Sequence, residues 1–277
     1  MKKVIIMDID GTLTNEDKVI SENTKNKLKE LQSQGAVLVL ASGRPTRGLM
    51  HFAKELEMDK HNGLLVSFNG ARVTDCETGN ILFDQTMTVD TCKAVLNHMK
   101  NFDVIPMVYK GEYLHVTDVY NNIVHAYGRE LNIIHYESRL CNYKLCEVDD
   151  LEEFADFPMN KILTAGEPDY LQENYKKMME PFKDSLNCVF TADMYFEFTE
   201  KGIDKANALH CALTPLGYTK EDMIAFGDAQ NDKTMLEYAG IGVAMGNATQ
   251  EIKDIADYIT LSNNDDGIVH ALNELLK

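Results

Sequence analysis

Five small clusters of residues could do chemistry, and four of them close a short apolar run. Asp8 and Asp10, two positions apart, end Val4-Ile5-Ile6-Met7 and lead into Gly11-Thr12. Two carboxylates that close cannot both be buried as charges without a cation between them. Gly11 permits the sharp exit that lets both point at one place. Taken alone the pair has a plainer explanation, because Asp-Gly is common turn chemistry. Ser42-Gly43-Arg44 follows a second run and sets a hydroxyl and free backbone N–H groups at a helix start, which suits an anion such as phosphate. An ordinary N-cap serine is the competing explanation. Ser67-Phe68-Asn69-Gly70 closes a third run. Gly227-Asp228-Ala229-Gln230-Asn231-Asp232 closes a fourth and places Asp228 and Asp232 around Asn231, either hard oxygen donors suited to Mg2+ or an acidic surface loop. In Lys201-Gly202-Ile203-Asp204-Lys205, Lys205 falls in the first turn of a helix. The helix dipole disfavours a cation there, so Lys205 is either solvated or paired with an anion.

The elements that must position these clusters alternate. Lys3–Met7 is a buried strand, and a helix runs from an N-cap at Ser21 to about Gln34, stopped by Gly35. Ala36–Ala41 is a strand, a helix extends to about Glu57, and Leu64–Ser67 is a third strand. This succession predicts an α/β fold, a Rossmann-like doubly wound parallel sheet with helices on both faces. Ligands of such sheets bind outside the carboxyl ends of the strands, where the clusters lie. Arg72–Thr74 and Ile81–Phe83 read as a hairpin. From about residue 86 to 188 the texture becomes α+β, with helices at Val89–Asn101 and Glu167–Pro181 and a strand at Tyr113–Val116. The expected organisation is a core of residues 1–85 and 189–277, interrupted by an inserted α+β domain at 86–188. In the second part of the core, Tyr195–Thr199, Met223–Phe226, Gly240–Ala244 and Tyr258–Leu261 are strands, and Ile203–Leu216 and Gly267–Leu276 helices.

Composition narrows the function classes. The net charge of −17 argues against nucleic acid and anionic membranes as partners, since both call for a basic face. No apolar run approaches the roughly 20 residues of a membrane span. The basic start Met1-Lys2-Lys3 leads into only four apolar residues, short of the roughly 7–15 of a secretory leader, so a cytoplasmic protein is expected. The six cysteines are scattered without a CxxC pair, and the eight histidines show no HExxH pairing, so free thiols are expected and a zinc hydrolase is not.

Together the clusters resemble the haloacid dehalogenase (HAD) superfamily of phosphatases over nearly the whole chain. Asp8-Ile9-Asp10-Gly11-Thr12-Leu13 is similar to its first motif, Ala41-Ser42-Gly43-Arg44 to its second, Lys205 to its third, and Gly227-Asp228-x-x-Asn231-Asp232-x-x-Met235 to its fourth. The insertion resembles a type IIB cap. Asn69-Gly70-Ala71, Glu197-x-x-x-x-Lys201-Gly202-x-x-Lys205, Met245-Gly246-Asn247-Ala248 and Asn264-Asp265-Asp266-Gly267 resemble Cof-type members. Ser42 stands where threonine is common, and both supply the hydroxyl. Asp204 stands where serine is common, and is expected to cap the helix.

The resemblance implies a phosphoric monoester hydrolase. Asp8 would be the nucleophile that forms an aspartyl-phosphate, and Asp10 the general acid and then base. Mg2+ would bridge the Asp8 carboxylate, the Asp10 backbone carbonyl and Asp228. Ser42, the Gly43 N–H, Lys205 and Asn231 would hold phosphoryl oxygens, with Arg44 beside them, while Asp232 would orient Lys205 or a metal-bound water. The inserted domain would be a lid that chooses the leaving group. His115, His125, Arg129, Tyr143, Lys144 and Lys161 are its candidate selectors, each read more readily as a surface residue. The expected substrate is a small phosphate ester, a sugar phosphate foremost, and the expected state a monomer, with a dimer as alternative. Two rivals stand beside this: a sugar phosphomutase of the same fold, and a catalytically silent phosphometabolite-binding protein.

Overall fold

The computed structural model describes residues 3–277; Met1 and Lys2, at the basic start weighed above, lie outside them. β1 (Val4–Met7) is buried along its whole length. Ser21 accepts the Thr24 N–H and so caps α1 (Glu22–Ser33), and Gly35, at φ +92°, turns the chain out of it. β2 (Val37–Ala41) is again wholly buried. α2 (Thr46–Glu55) begins at an N-cap Pro45 with no side-chain cap, so Ser42 lies in the loop before the helix and is not its cap. β3 (Leu64–Ser67) leads into the hairpin β4 (Arg72–Asp75) and β5 (Ile81–Asp84).

The chain then builds a second unit. It contains α3 (Val89–Met99), β6 (Ile105–Lys110), β7 (Tyr113–Val116), β8 (Ile123–Ala126), β9 (Arg129–Asn132), α4 (Ile133–Cys141) and β10 (Lys144–Glu147). It continues with α5 (Leu151–Phe154), β11 (Lys161–Ala165), α6 (Pro168–Met179), β12 (Leu186–Ala192) and β13 (Tyr195–Glu200). The first unit resumes with α7 (Lys205–Leu213), β14 (Met223–Gly227), α8 (Lys233–Tyr238), β15 (Ile241–Ala244), α9 (Gln250–Ile255), β16 (Tyr258–Ile259) and α10 (Gly267–Leu275). No described helix is long and apolar enough to cross a membrane.

The eight strands of the first unit lie in the order β16-β15-β14-β1-β2-β3-β4-β5. They are parallel from β16 to β3 and antiparallel through the terminal hairpin. Successive residues of a strand face opposite ways. Ile5, Met7, Leu38 and Leu40 accordingly pack with Leu28, Leu49, Phe52 and Leu272 on one face. Val4, Ile6, Val37 and Val39 pack with Leu209, Leu236 and Ile252 on the other. Covering on both faces explains why these strands read as unbroken apolar runs.

The second unit carries a sheet in the order β10-β7-β6-β11-β13-β12 and a separate β8-β9 hairpin. One face packs against α3, α5 and α6, and the other against α4 and the hairpin. Its extent corrects the expected boundary of 188. The unit is Gln85–Gly202, and β12 and β13 pair with each other and with β11 inside it, so Tyr195–Thr199 is not a core strand. Six residue pairs join β12 to β13 in register, which no local pattern announces.

Candidate active site

The three strand ends β1, β2 and β14 are neighbours, and the register Met7↔Leu40 and Met7↔Phe226 sets their loops level. Lys205 enters among them from the first turn of α7. Asp204 accepts the Asn207 N–H and caps that helix, as its position led us to expect. The Lys205 side chain is fully buried, and its Nζ donates to Asp8 Oδ1 at 2.7 Å, Asp232 Oδ1 at 2.6 Å and the Ala41 carbonyl at 2.8 Å. All three ammonium protons are therefore used. Burial by itself would lower the Lys205 pKa, but the charges of Asp232 and Asp8 outweigh it and hold the ammonium above its usual range. Burial and the Asp232 charge push Asp8 well above the usual carboxylate range, against the pull of Lys205.

Asp232 has both oxygens engaged. Oδ1 takes Lys205, and Oδ2 takes the N–H groups of Asp228 at 2.9 Å and Ala229 at 3.0 Å. It thus contacts both Lys205 and the backbone of the loop. Asp228 is placed by the Thr12 hydroxyl, which donates to its Oδ1 at 2.7 Å. Burial and Asp232 push the Asp228 carboxyl up to about 6, against the Thr12 hydrogen bond. Gly11 adopts φ +84°, and a Cβ there would stand 2.4 Å from Asp228 Oδ2. Only glycine lets the β1 loop close onto that carboxylate.

Carboxylate oxygens of Asp8, Asp228 and Asp232 lie within 4.8 Å of one another. Three carboxylates facing one ammonium leave an excess of two negative charges when all are ionised, and a divalent cation would cancel it. The donors are hard oxygens, Asp8 and Asp228 have bonding capacity left, and the raised carboxyls mark the unmet charge. The residues fit a divalent metal.

Asp10 points into a different set of contacts. Arg44 grips it with two hydrogen bonds, Nε to Oδ2 and a terminal guanidinium nitrogen to Oδ1, both at 2.8 Å, and Lys18 Nζ reaches Oδ1 at 3.0 Å. Burial opposes the charged form, but Arg44 and Lys18 outweigh it and hold the Asp10 carboxyl below its usual value. Arg44, expected beside the phosphate, therefore has its guanidinium on Asp10. Ser42 is buried, and its Oγ accepts the Arg44 N–H at 3.2 Å. Asn231 is exposed and donates from Nδ2 to Asn69 Oδ1 at 3.0 Å.

Several supporting residues carried no assigned role in the sequence. Thr12 orients Asp228, and Lys18 contacts Asp10 from eight positions along the chain. Asn247 Nδ2 donates to the Gly11 carbonyl at 2.8 Å and takes the Asn263 N–H on Oδ1, so the loop after β15 holds the loop after β1. The motif-like setting of Asn247 was a signal for it; nothing local pointed to Lys18.

In the second unit, three of the six proposed selectors are not surface residues. His115, Tyr143 and Lys161 are buried, and Lys161 Nζ is paired with buried Glu197 at 2.8 Å. His125, Arg129 and Lys144 are exposed, with His125 on Glu167 and Lys144 on Glu112.

A family model described as haloacid dehalogenase-like hydrolase matches residues 5–272. A protein of Streptococcus pyogenes serotype M6, provisionally named a phosphatase, is 31% identical over 274 residues, covering 98% of this chain and 97% of its own. The 5-amino-6-(5-phospho-D-ribitylamino)uracil phosphatase YitU of Bacillus subtilis is 29% identical over 285 residues, covering 98% and 96%. A solved structure of a haloacid dehalogenase-like hydrolase from Bacteroides thetaiotaomicron superposes with a TM-score of 0.90 at 31% identity, covering 99% of both chains.

Proposed function

The chain belongs to the haloacid dehalogenase-like hydrolase family and is a phosphatase, and we propose that it is a magnesium-dependent one, passing the phosphoryl group of a small metabolite through Asp8 to water. The observation that carries this is the fully buried Lys205 between Asp8 and Asp232, with Asp228 within 4.8 Å of both. A buried lysine with every proton engaged fixes one oxygen of Asp8 and leaves the other as nucleophile.

Asp8 attacks phosphorus, the ester P–O bond breaks, and the leaving oxygen takes a proton from Asp10. Asp10 then removes a proton from water, which attacks the aspartyl-phosphate, releases inorganic phosphate and restores Asp8. Arg44 and Lys18 favour the carboxylate of Asp10, the form the second step needs; donation in the first step requires their grip to loosen. Ser42, the Gly43 N–H and Asn231 hold the phosphoryl oxygens as charge shifts among them, while Lys205, whose three protons are committed to Asp8, Asp232 and the Ala41 carbonyl, contributes its positive charge and not a hydrogen bond. Asp8, the Asp10 carbonyl and Asp228 would hold Mg2+, whose positive charge would let an anionic ester approach an acidic protein.

Sugar phosphates and related polyol phosphates are the proposed substrates. The name of the Bacillus subtilis relative, whose phosphate sits on a ribityl chain, supports that class. The decisive experiment is phosphate release from a generic aryl phosphate with Mg2+, wild type against Asp8→Asn. The variant is expected to lose activity by at least about 10³-fold; activity that survives it overturns the assignment of the nucleophile. A panel of phosphorylated metabolites then separates polyol phosphates from nucleotides.

A further inference from the structure

We propose that Asn69 is a positioning residue for phosphoryl transfer, which joins the two sides of the phosphate cradle by fixing Asn231 against the Ser42–Gly43 loop. The inference rests on the assignment of that cradle to a phosphoryl group.

Its basis is an unusual turn. After β3 the chain passes through Phe68, Asn69 and Gly70 at φ +54°, +57° and +104°. Side-chain-bearing residues avoid this region, and a bulky aromatic avoids it most; asparagine tolerates it better than most, and glycine is free there. Such a conformation persists only where its surroundings over-determine it. Here the Phe68 N–H donates to the Arg44 carbonyl at 2.9 Å, and the Asn69 N–H to the Ser42 carbonyl at 3.0 Å. On the other side Gly70 lies so close to the start of α7 that a Cβ would stand 2.2 Å from the Asp204 carbonyl oxygen and 2.9 Å from the Lys205 nitrogen. The turn is wedged between the loop that carries Ser42 and the helix that carries Lys205.

This wedge aims the Asn69 amide across the cradle. A Cβ on Gly43 would come within 3.0 Å of both terminal atoms of that amide, so Asn69 lies flat against Gly43. Its Oδ1 accepts Asn231 Nδ2 at 3.0 Å, the one hydrogen bond the Asn231 side chain makes among the described residues. An exposed amide on a short turn would otherwise sample several rotamers. Asn69 removes that freedom and holds Asn231 beside Gly43 before substrate arrives, which is preorganisation of a hydrogen-bond donor for the phosphoryl oxygens.

Asn69→Gly tests this cleanly, because glycine accepts the positive φ and only the amide is lost. With Mg2+ present, kcat for an aryl phosphate is expected to fall about tenfold with KM little changed, and orthovanadate to bind about tenfold more weakly by calorimetry. The melting temperature should stay within about 2 °C of wild type. A cycle with Asn231→Ala supplies the readout that a merely structural role would not move. The double variant should be no worse than Asn231→Ala alone, since each removes the same arrangement. Wild-type kcat and orthovanadate affinity in Asn69→Gly, or additive costs in the cycle, overturn the inference while leaving the Asp8 chemistry intact. A wild type that neither releases phosphate nor binds orthovanadate overturns both.

Discussion

Replacing Lys205 by methionine keeps the volume of a buried side chain and deletes its charge. In the native site Nζ meets three acceptors at 2.6–2.8 Å, two of them carboxylates. The variant leaves Asp8 and Asp232 facing each other with no counter-charge. Breaking a buried pair by removing one partner costs about 3–5 kcal/mol, and each kcal/mol shifts the melting point of a protein this size by about 2–4 °C, so Tm should drop by roughly 6–20 °C. The measurement is thermal unfolding followed by circular dichroism and tyrosine fluorescence, the chain having no tryptophan. It is run at pH 7.5 with chelator, since a divalent ion would partly replace the ammonium. Adding Asp232→Asn should recover about half the loss or more. The amide oxygen can still accept the Asp228 and Ala229 N–H groups now held by Asp232 Oδ2. The deficit should also shrink with acid. Burial and Asp232 raise the Asp8 carboxyl while Lys205 lowers it, so losing Lys205 raises it further, and the variant's folded state holds the proton more firmly and gains more stability than wild type as pH falls. A Tm within about 2 °C of wild type, or no recovery from Asp232→Asn, would refute the view of Lys205 as the charge that holds the site together.

Three further outcomes are expected. Mg2+ at about 100 times its Kd should add about 2.7 kcal/mol of stability near pH 7.5 and much less at pH 5, because the Asp228 carboxyl, pushed up to about 6, is protonated there; equal gains at both pH values in scanning fluorimetry would count against the site. Gly11→Ala, with its Cβ 2.4 Å from Asp228 Oδ2 and its φ at +84°, should cost about 1–3 kcal/mol and weaken Mg2+ binding at least about tenfold by calorimetry. Glu197→Gln removes the charge that pairs with buried Lys161 at 2.8 Å and should destabilise the inserted unit by about 3 kcal/mol, seen as faster hydrogen exchange in β11 and β13 with the strands of the first unit unchanged.

Most of the first unit was legible because its signals are local. Unbroken apolar runs, a capping Ser21 and a stop at Gly35 each act within a few residues, and the parallel sheet follows from their alternation. The residues of the candidate site were legible as types at strand ends. What each touches was not. Arg44 looked like a phosphate ligand because it follows Ser42 and Gly43, whereas its guanidinium is committed to Asp10, 34 positions away. Lys161 and His115 looked like surface residues because lysine and histidine usually are, but the first has a buried carboxylate partner and the second stacks on Phe154. The misplaced boundary has the same origin. β13 alternates like any strand, and only its pairing with β11 and β12 says which sheet it joins.

The pairing of β1 with β14 has a consequence for synthesis. Val4 leaves the ribosome about 220 residues ahead of its register partner Met223, and Asp8 precedes the lysine and aspartates it will meet by a similar stretch. At about 5–20 residues per second the nascent chain carries an unpaired apolar β1 edge for roughly 10–45 s. The inserted unit, one continuous stretch, can finish folding within that interval. The acidic centre is thus assembled late, after the inserted unit has emerged, and slow translation or chaperone shortage should expose the β1 edge long before any trace of activity exists to be lost.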